Sequence, residues 1–208
     1  MGWPRAMIEQ LQAALASPMQ RVVSHQTPFT LDDAQRAGDE WQFNCGPAAL
    51  CAVLGMTPDA IRPMMGDFEG KGYTNPTLML DILARCNASF RVMYRGDVPN
   101  GLPKIEHGLM RVQWTGPWTK PGVPMRARYR QTHWVAVRGA SREIFDVNAM
   151  CVGGWLPRDE WALQLVPWLI RECCPKGDGG WWPTHALEVV PNVRAKAEPT
   201  APQCLSTD

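Results

Sequence analysis

The stretch THWVAVRGASREIFDVN, residues 132–148, decides the fold class. Its two ends are rich in β-branched and aromatic residues, and a short turn opening on Gly139 separates them. The pair reads as an antiparallel hairpin. A turn through Gly139–Arg142 sets Arg138 opposite Glu143, and counting back along both strands sets His133 opposite Asn148. Side chains alternate between faces, so Asp146 shares the face of Asn148. A histidine at a strand start then meets two polar residues, one directly across and one diagonal.

Upstream the periodicity is helical. Met7, Ile8, Leu11 and Leu15 predict an amphipathic N-terminal helix. Thr30 or Asp32 caps a second, short helix expected to end near Gly38. "CGPAALCAVLG", residues 45–55, predicts a compact apolar helix with Pro47 in its first turn and Gly55 at its end. "TPDAIRPMM" is a short capped helix broken at Pro63. A further helix is capped by Asn75, started by Pro76 and stopped at Asn87. The pattern then changes to strands: "SFRVMYR", "LMRVQWTG", the hairpin and a last strand "THALEVV". "PRDEWALQLVPWLIREC" is a late helix with an expected kink at Pro167. The order is helices first, then a mainly antiparallel sheet with one late helix, which is an α+β pattern. Residues 1–190 are expected to form one domain, and residues 191–208, poor in large apolar groups, a flexible tail. Pro and Gly cluster in "GPWTKPGVP", ahead of the hairpin, and a long loop beside a rigid scaffold is a functional candidate.

Composition excludes several classes of function. The chain has 208 residues, 45% hydrophobic and 20% charged, with 21 basic and 20 acidic side chains and a formal charge of +1. Such a balance gives no field for nucleic acid or an anionic membrane. No apolar run approaches the length of a membrane span, and the N-terminus carries no signal-peptide pattern. The 7 cysteines are odd in number and scattered, which fits a reducing, cytoplasmic setting better than a disulfide framework. The 10 tryptophans, most of them after Gln113, read either as core and surface packing or as the lining of an aromatic cleft. "GGW" at Gly153–Trp155 and Gly179–Trp181 suggests close backbone approach near a site.

Cys45 opens an apolar helix, where unpaired N–H groups and the helix dipole favour a thiolate. A thiolate nucleophile needs a base. Of His25, His107, His133 and His185, His133 is the best placed, because the hairpin supplies it with an orienting partner; His25 and His107 read as surface residues. Cys151, Cys173, Cys174 and His185 lack the C-x-x-C spacing of a zinc site, so neither metal nor cofactor is expected.

"NCGPAAL" followed by "HWVAV…IFDVNA" resembles the papain-like cysteine peptidases. "CGPA" at the head of the nucleophile helix is similar to bacteriocin-processing peptidase domains, and "HWVAVRGASREIFDVN" resembles Josephin-type deubiquitinases. The resemblance implies a papain-like fold and the order Cys45, His133, Asn148, with Asp146 as the rival third member. Asp39 and Glu40 stand where that family has its oxyanion-hole glutamine, so Gln42, nearer the cysteine, is the candidate donor. The implied activity is cleavage of a peptide or isopeptide bond through an acyl-enzyme, with a protein or peptide as substrate. Glutamine deamidation or transglutamination by the same triad, or a binding module that has lost catalysis, are the alternatives.

Overall fold

The computed structural model describes residues 26–95, 104–129 and 131–190, with residues 9, 10, 13 and 15 of the N-terminal segment. The proposed tail and His25 lie outside the described residues, as does most of the expected N-terminal helix. The expected α+β architecture is present.

Helix α1 (Leu31–Trp41) starts at a capping box: the Thr30 hydroxyl accepts from the Asp33 N–H, and the Asp33 carboxylate accepts from the Thr30 N–H. It runs past Gly38, where the composition suggested an end, because buried Ala34, Ala37 and Trp41 keep one apolar stripe against the core. Helix α2 (Cys45–Leu54) is capped by the Asn44 side chain and closed by left-handed Gly55 at φ 68°. It is buried almost all round, as an entirely apolar helix must be. Single turns at Pro58–Ile61 and Phe68–Lys71 lead to α3 (Pro76–Arg85), capped by Asn75.

Among the described residues six antiparallel strands follow: β1 (Ser89–Arg95), β2 (His107–Trp114), β3 (Thr132–Arg138), β4 (Glu143–Phe145), β5 (Trp155–Pro157) and β6 (Trp181–Val190), in the spatial order β1-β6-β2-β3-β4-β5. Period-2 alternation divides two cores between the faces. Leu109, Trp134, Ala136, Phe145 and Leu187 join α1–α3 on one face. Met110, Val112, Val135, Val137 and Ile144 join the late helical segment on the other, where Leu15 also packs.

The late segment is not a kinked α-helix. A π-helical turn at Trp161–Leu165 precedes α4 (Val166–Cys173), and the Val166 N–H reaches back to the Trp161 carbonyl. Pro167 has no N–H to give and crowds the preceding turn, and the wider register accommodates both. His107 is also not a surface residue: it opens β2, and its Nε2 bonds the Val53 carbonyl at the far end of α2, 2.9 Å away.

Candidate active site

The hairpin register is the one expected, with Arg138 opposite Glu143, Val137 opposite Ile144 and Ala136 opposite Phe145. There the ladder stops. Asp146 leaves the strand to cap a 3₁₀ segment, Val147–Val152, its Oδ1 accepting the Asn148 N–H at 2.9 Å. Gly154 makes this departure possible. Its carbonyl accepts the Asp146 N–H at 2.9 Å, and a Cβ at Gly154 would run into the Phe145 ring. The Gly153–Trp155 motif therefore marks a close approach beside the site, as expected.

Asp146, not Asn148, takes the imidazole. His133 Nε2 donates to Asp146 Oδ2 at 2.9 Å. The Asn148 amide nitrogen lies 3.4 Å from that ring nitrogen, while donating to Asp146 Oδ1 at 2.8 Å. Trp161 Nε1 donates to Oδ2 at 2.9 Å. The carboxylate is 0% exposed. With four donors it has the full set of hydrogen bonds an ionised carboxylate can accept. Burial pushes its pKa up; the His133 charge and these donors outweigh that, and Asp146 stays below the ordinary carboxylate range. The correction to the expected triad has a plain cause. A strand continued through Asn148 would have set that residue across from His133, whereas the cap swings Asp146 into the place.

With Nε2 committed to Asp146, the other ring nitrogen of His133 is left for Cys45, to which the ring is hydrogen-bonded. Trp114 stacks on the imidazole, ring centroids 5.8 Å apart and planes 23° from parallel. A flat π-face at that range fixes the ring and favours its cationic form. Burial pushes the His133 pKa down, but the charges of Asp146 and Cys45 raise it well above its ordinary value.

Cys45 is partly exposed at the mouth of α2. Burial pushes its thiol up. The His133 charge, the His133 hydrogen bond and the Trp134 backbone N–H pull it down further, so the net shift is downward. Pairing with β4 covers only Ala136, Val137 and Arg138, so it does not engage that Trp134 N–H. In the first turn of α2, the Gly46 N–H is taken by Asn44 Oδ1 and Pro47 has none. The Cys45 N–H stands at the head of that turn, where the helix itself offers it no acceptor.

Gln42 is not part of the cleft. Because α1 runs to Trp41, Gln42 becomes its left-handed C-cap at φ 63°, exposed, with its amide oxygen against Gly72.

Cys45 divides the cleft in two. One cavity, of about 250 Å³, is lined by His133, Val147, Asn148 and the α1 residues Leu31 and Gln35. The other, of about 630 Å³, is lined by Tyr73, Thr74, Arg111, Tyr129, Thr132 and Trp134. Tyr129 ends the segment that follows the Pro- and Gly-rich loop, which thus reaches the site. Trp114, Trp161, Arg111 and Thr74 were not singled out from sequence. For Arg111 a signal existed: in the alternating strand it falls in phase with buried Leu109, a core-facing position that ordinarily excludes charge. Among the described residues, no group of three or more His, Cys, Asp or Glu side chains is disposed to hold a metal. No helix among them is long and apolar enough to cross a membrane.

No protein family, curated protein or solved structure matches the chain.

Proposed function

We propose that this protein is a cysteine hydrolase that cleaves a peptide or isopeptide bond through an acyl-enzyme, with the triad Cys45, His133 and Asp146. One observation carries the reading: His133 joins a thiol at a helix N-terminus to a fully buried, fully hydrogen-bonded carboxylate. Structural cysteines do not need such an arrangement, whereas activated ones do. The order of elements, a nucleophile helix ahead of an antiparallel sheet that carries the histidine and its partner, supports a papain-like fold as the motifs imply.

The thiolate attacks the scissile carbonyl, and the developing oxyanion meets the Cys45 N–H and the positive end of α2. The imidazolium passes its proton to the leaving amine, which departs with the Cys45 thioester formed. His133 then deprotonates a water that attacks the thioester, and the thiolate is restored. Asp146 holds the tautomer and stabilises the cation throughout.

A peptidyl vinyl sulfone tests the reading. It is expected to modify Cys45 alone at neutral pH, with loss of the adduct in His133→Asn. An unmodified Cys45 would leave the protein without its nucleophile. Ammonia release without chain cleavage would redirect the same triad to deamidation.

A further inference from the structure

The two walls of the cleft differ in chemistry. A leaving amine must come within reach of the imidazole that protonates it. The leaving group therefore lies on the His133 and Asn148 side, and the acyl part extends along the other wall, the roomier one.

That wall holds a buried cation without an acidic partner. Arg111 is 6% exposed. Its Nη2 donates to Thr132 Oγ1 at 3.0 Å and reaches the Tyr129 carbonyl at 3.5 Å. Its Cζ stands 5.5 Å from the centre of the Tyr129 ring. Among the described residues the Arg111 Nε has no hydrogen-bond partner, and neither has the hydroxyl of Thr74, 7% exposed and turned against Gly46 of α2. Among the described residues no carboxylate is paired with the guanidinium, and the charges that act on it are those of Tyr129 and Cys45. Burying an unpaired guanidinium costs folding free energy, and a planar fork with a vacant donor is shaped for a carboxylate.

Resting on the hydrolase reading, we propose that this wall is an acyl-group subsite for substrates whose acyl part carries a carboxylate, as an acidic peptide residue does. Arg111 grips the carboxylate, and the rings of Tyr129 and Trp134 flank the chain. The cavity volume of about 630 Å³ suits a group of that size.

Succinate serves as the probe. In an NMR titration of the native chain, the Arg111 Nε–H and Trp134 indole N–H resonances are expected to shift saturably; no saturable shift at Arg111 overturns the proposal. Alkylation of Cys45 supplies a second reading. Arg111→Met is expected to slow iodoacetate about tenfold or more relative to iodoacetamide, the scale of one charge-assisted hydrogen bond. Arg111→Lys, which keeps the charge without the fork, is expected to fall between. Equal slowing with both reagents would assign Arg111 to charge balance at the thiolate and overturn the subsite. If Cys45 reacts with neither reagent, the hydrolase reading falls, and the succinate titration still decides whether this wall binds carboxylates.

Discussion

Cys45 and Cys51 stand on the same helix, and their surroundings drive their thiols in opposite directions. Cys51 is 0% exposed; burial pushes its thiol up, and Cys86 nearby adds to the rise. Cys45 also loses water, yet its thiol is lowered by His133 and the Trp134 N–H. The helix is common to both, so what separates them is position and company. Only the first turn has N–H groups to offer an anion, and only there does a cation held by a buried carboxylate stand alongside. A thiol in the middle of the helix has spent neighbours: every backbone donor around it serves the helix itself.

A large effect should be on reactivity. At pH 7, iodoacetamide is expected to modify Cys45 at least about 100-fold faster than Cys51, since thiolate content falls tenfold per pKa unit. Peptide mapping measures the ratio, and comparable labelling would erase the distinction. The Cys45 rate should rise through a midpoint below the ~8.5 of a free thiol. His133→Asn removes the cation and should move that midpoint upward, making Cys45 behave more like Cys51.

A sharper separation concerns the residue behind the histidine. Asp146→Asn is expected to slow hydrolysis of a fluorogenic peptide by about 10²- to 10⁴-fold, whereas Asn148→Ala should cost less than about tenfold. Equal losses would mean that the imidazole draws on both residues. Asp146→Ala should also lower stability by about 3–5 kcal/mol, because it takes one of two partners from a buried histidine charge and leaves the Asn148 and Trp161 donors without their acceptor. The depressed Asp146 pKa sets the sign with pH. Its contribution is complete above the unfolded value of ~3.9 and is lost as pH falls through the lower folded value. The denaturation midpoints of native protein and Asp146→Asn should therefore converge as the solution is acidified below about pH 4.

The smallest effect is expected at Gln42. An oxyanion donor is worth about 10²–10³ in kcat, and an exposed C-cap side chain about twofold or less. Gln42→Ala is expected to follow the second figure in steady-state kinetics. A loss of the first size would return Gln42 to the cleft and give Cys45 a second oxyanion donor.

Much of this was legible in the sequence because the signals are local. Thr30 and Asn75 cap their helices and Gly55 closes one, since each needs only its own backbone neighbours. The hairpin register follows from turn length alone, and it carried the pairing of His133 with the Asp146–Asn148 region. Cys45 and His133 were accessible for the same reason, each sitting at a recognisable element boundary.

Tertiary structure decided what local pattern leaves open. Whether Asp146 or Asn148 meets the imidazole depends on where β4 ends, and that depends on Gly154 closing against Phe145 and on the Trp161 indole reaching across from the π-helical turn. Gln42 left the cleft because the stripe of Ala34, Ala37 and Trp41 carried α1 beyond Gly38 into the core. Arg111 and Thr74 came to share a wall with Cys45 only when the sheet folded under α2. Hydrogen-bond caps and turns are set by residues a few positions apart; the partners of a buried charge are set by packing, which joins segments that no sequence period connects.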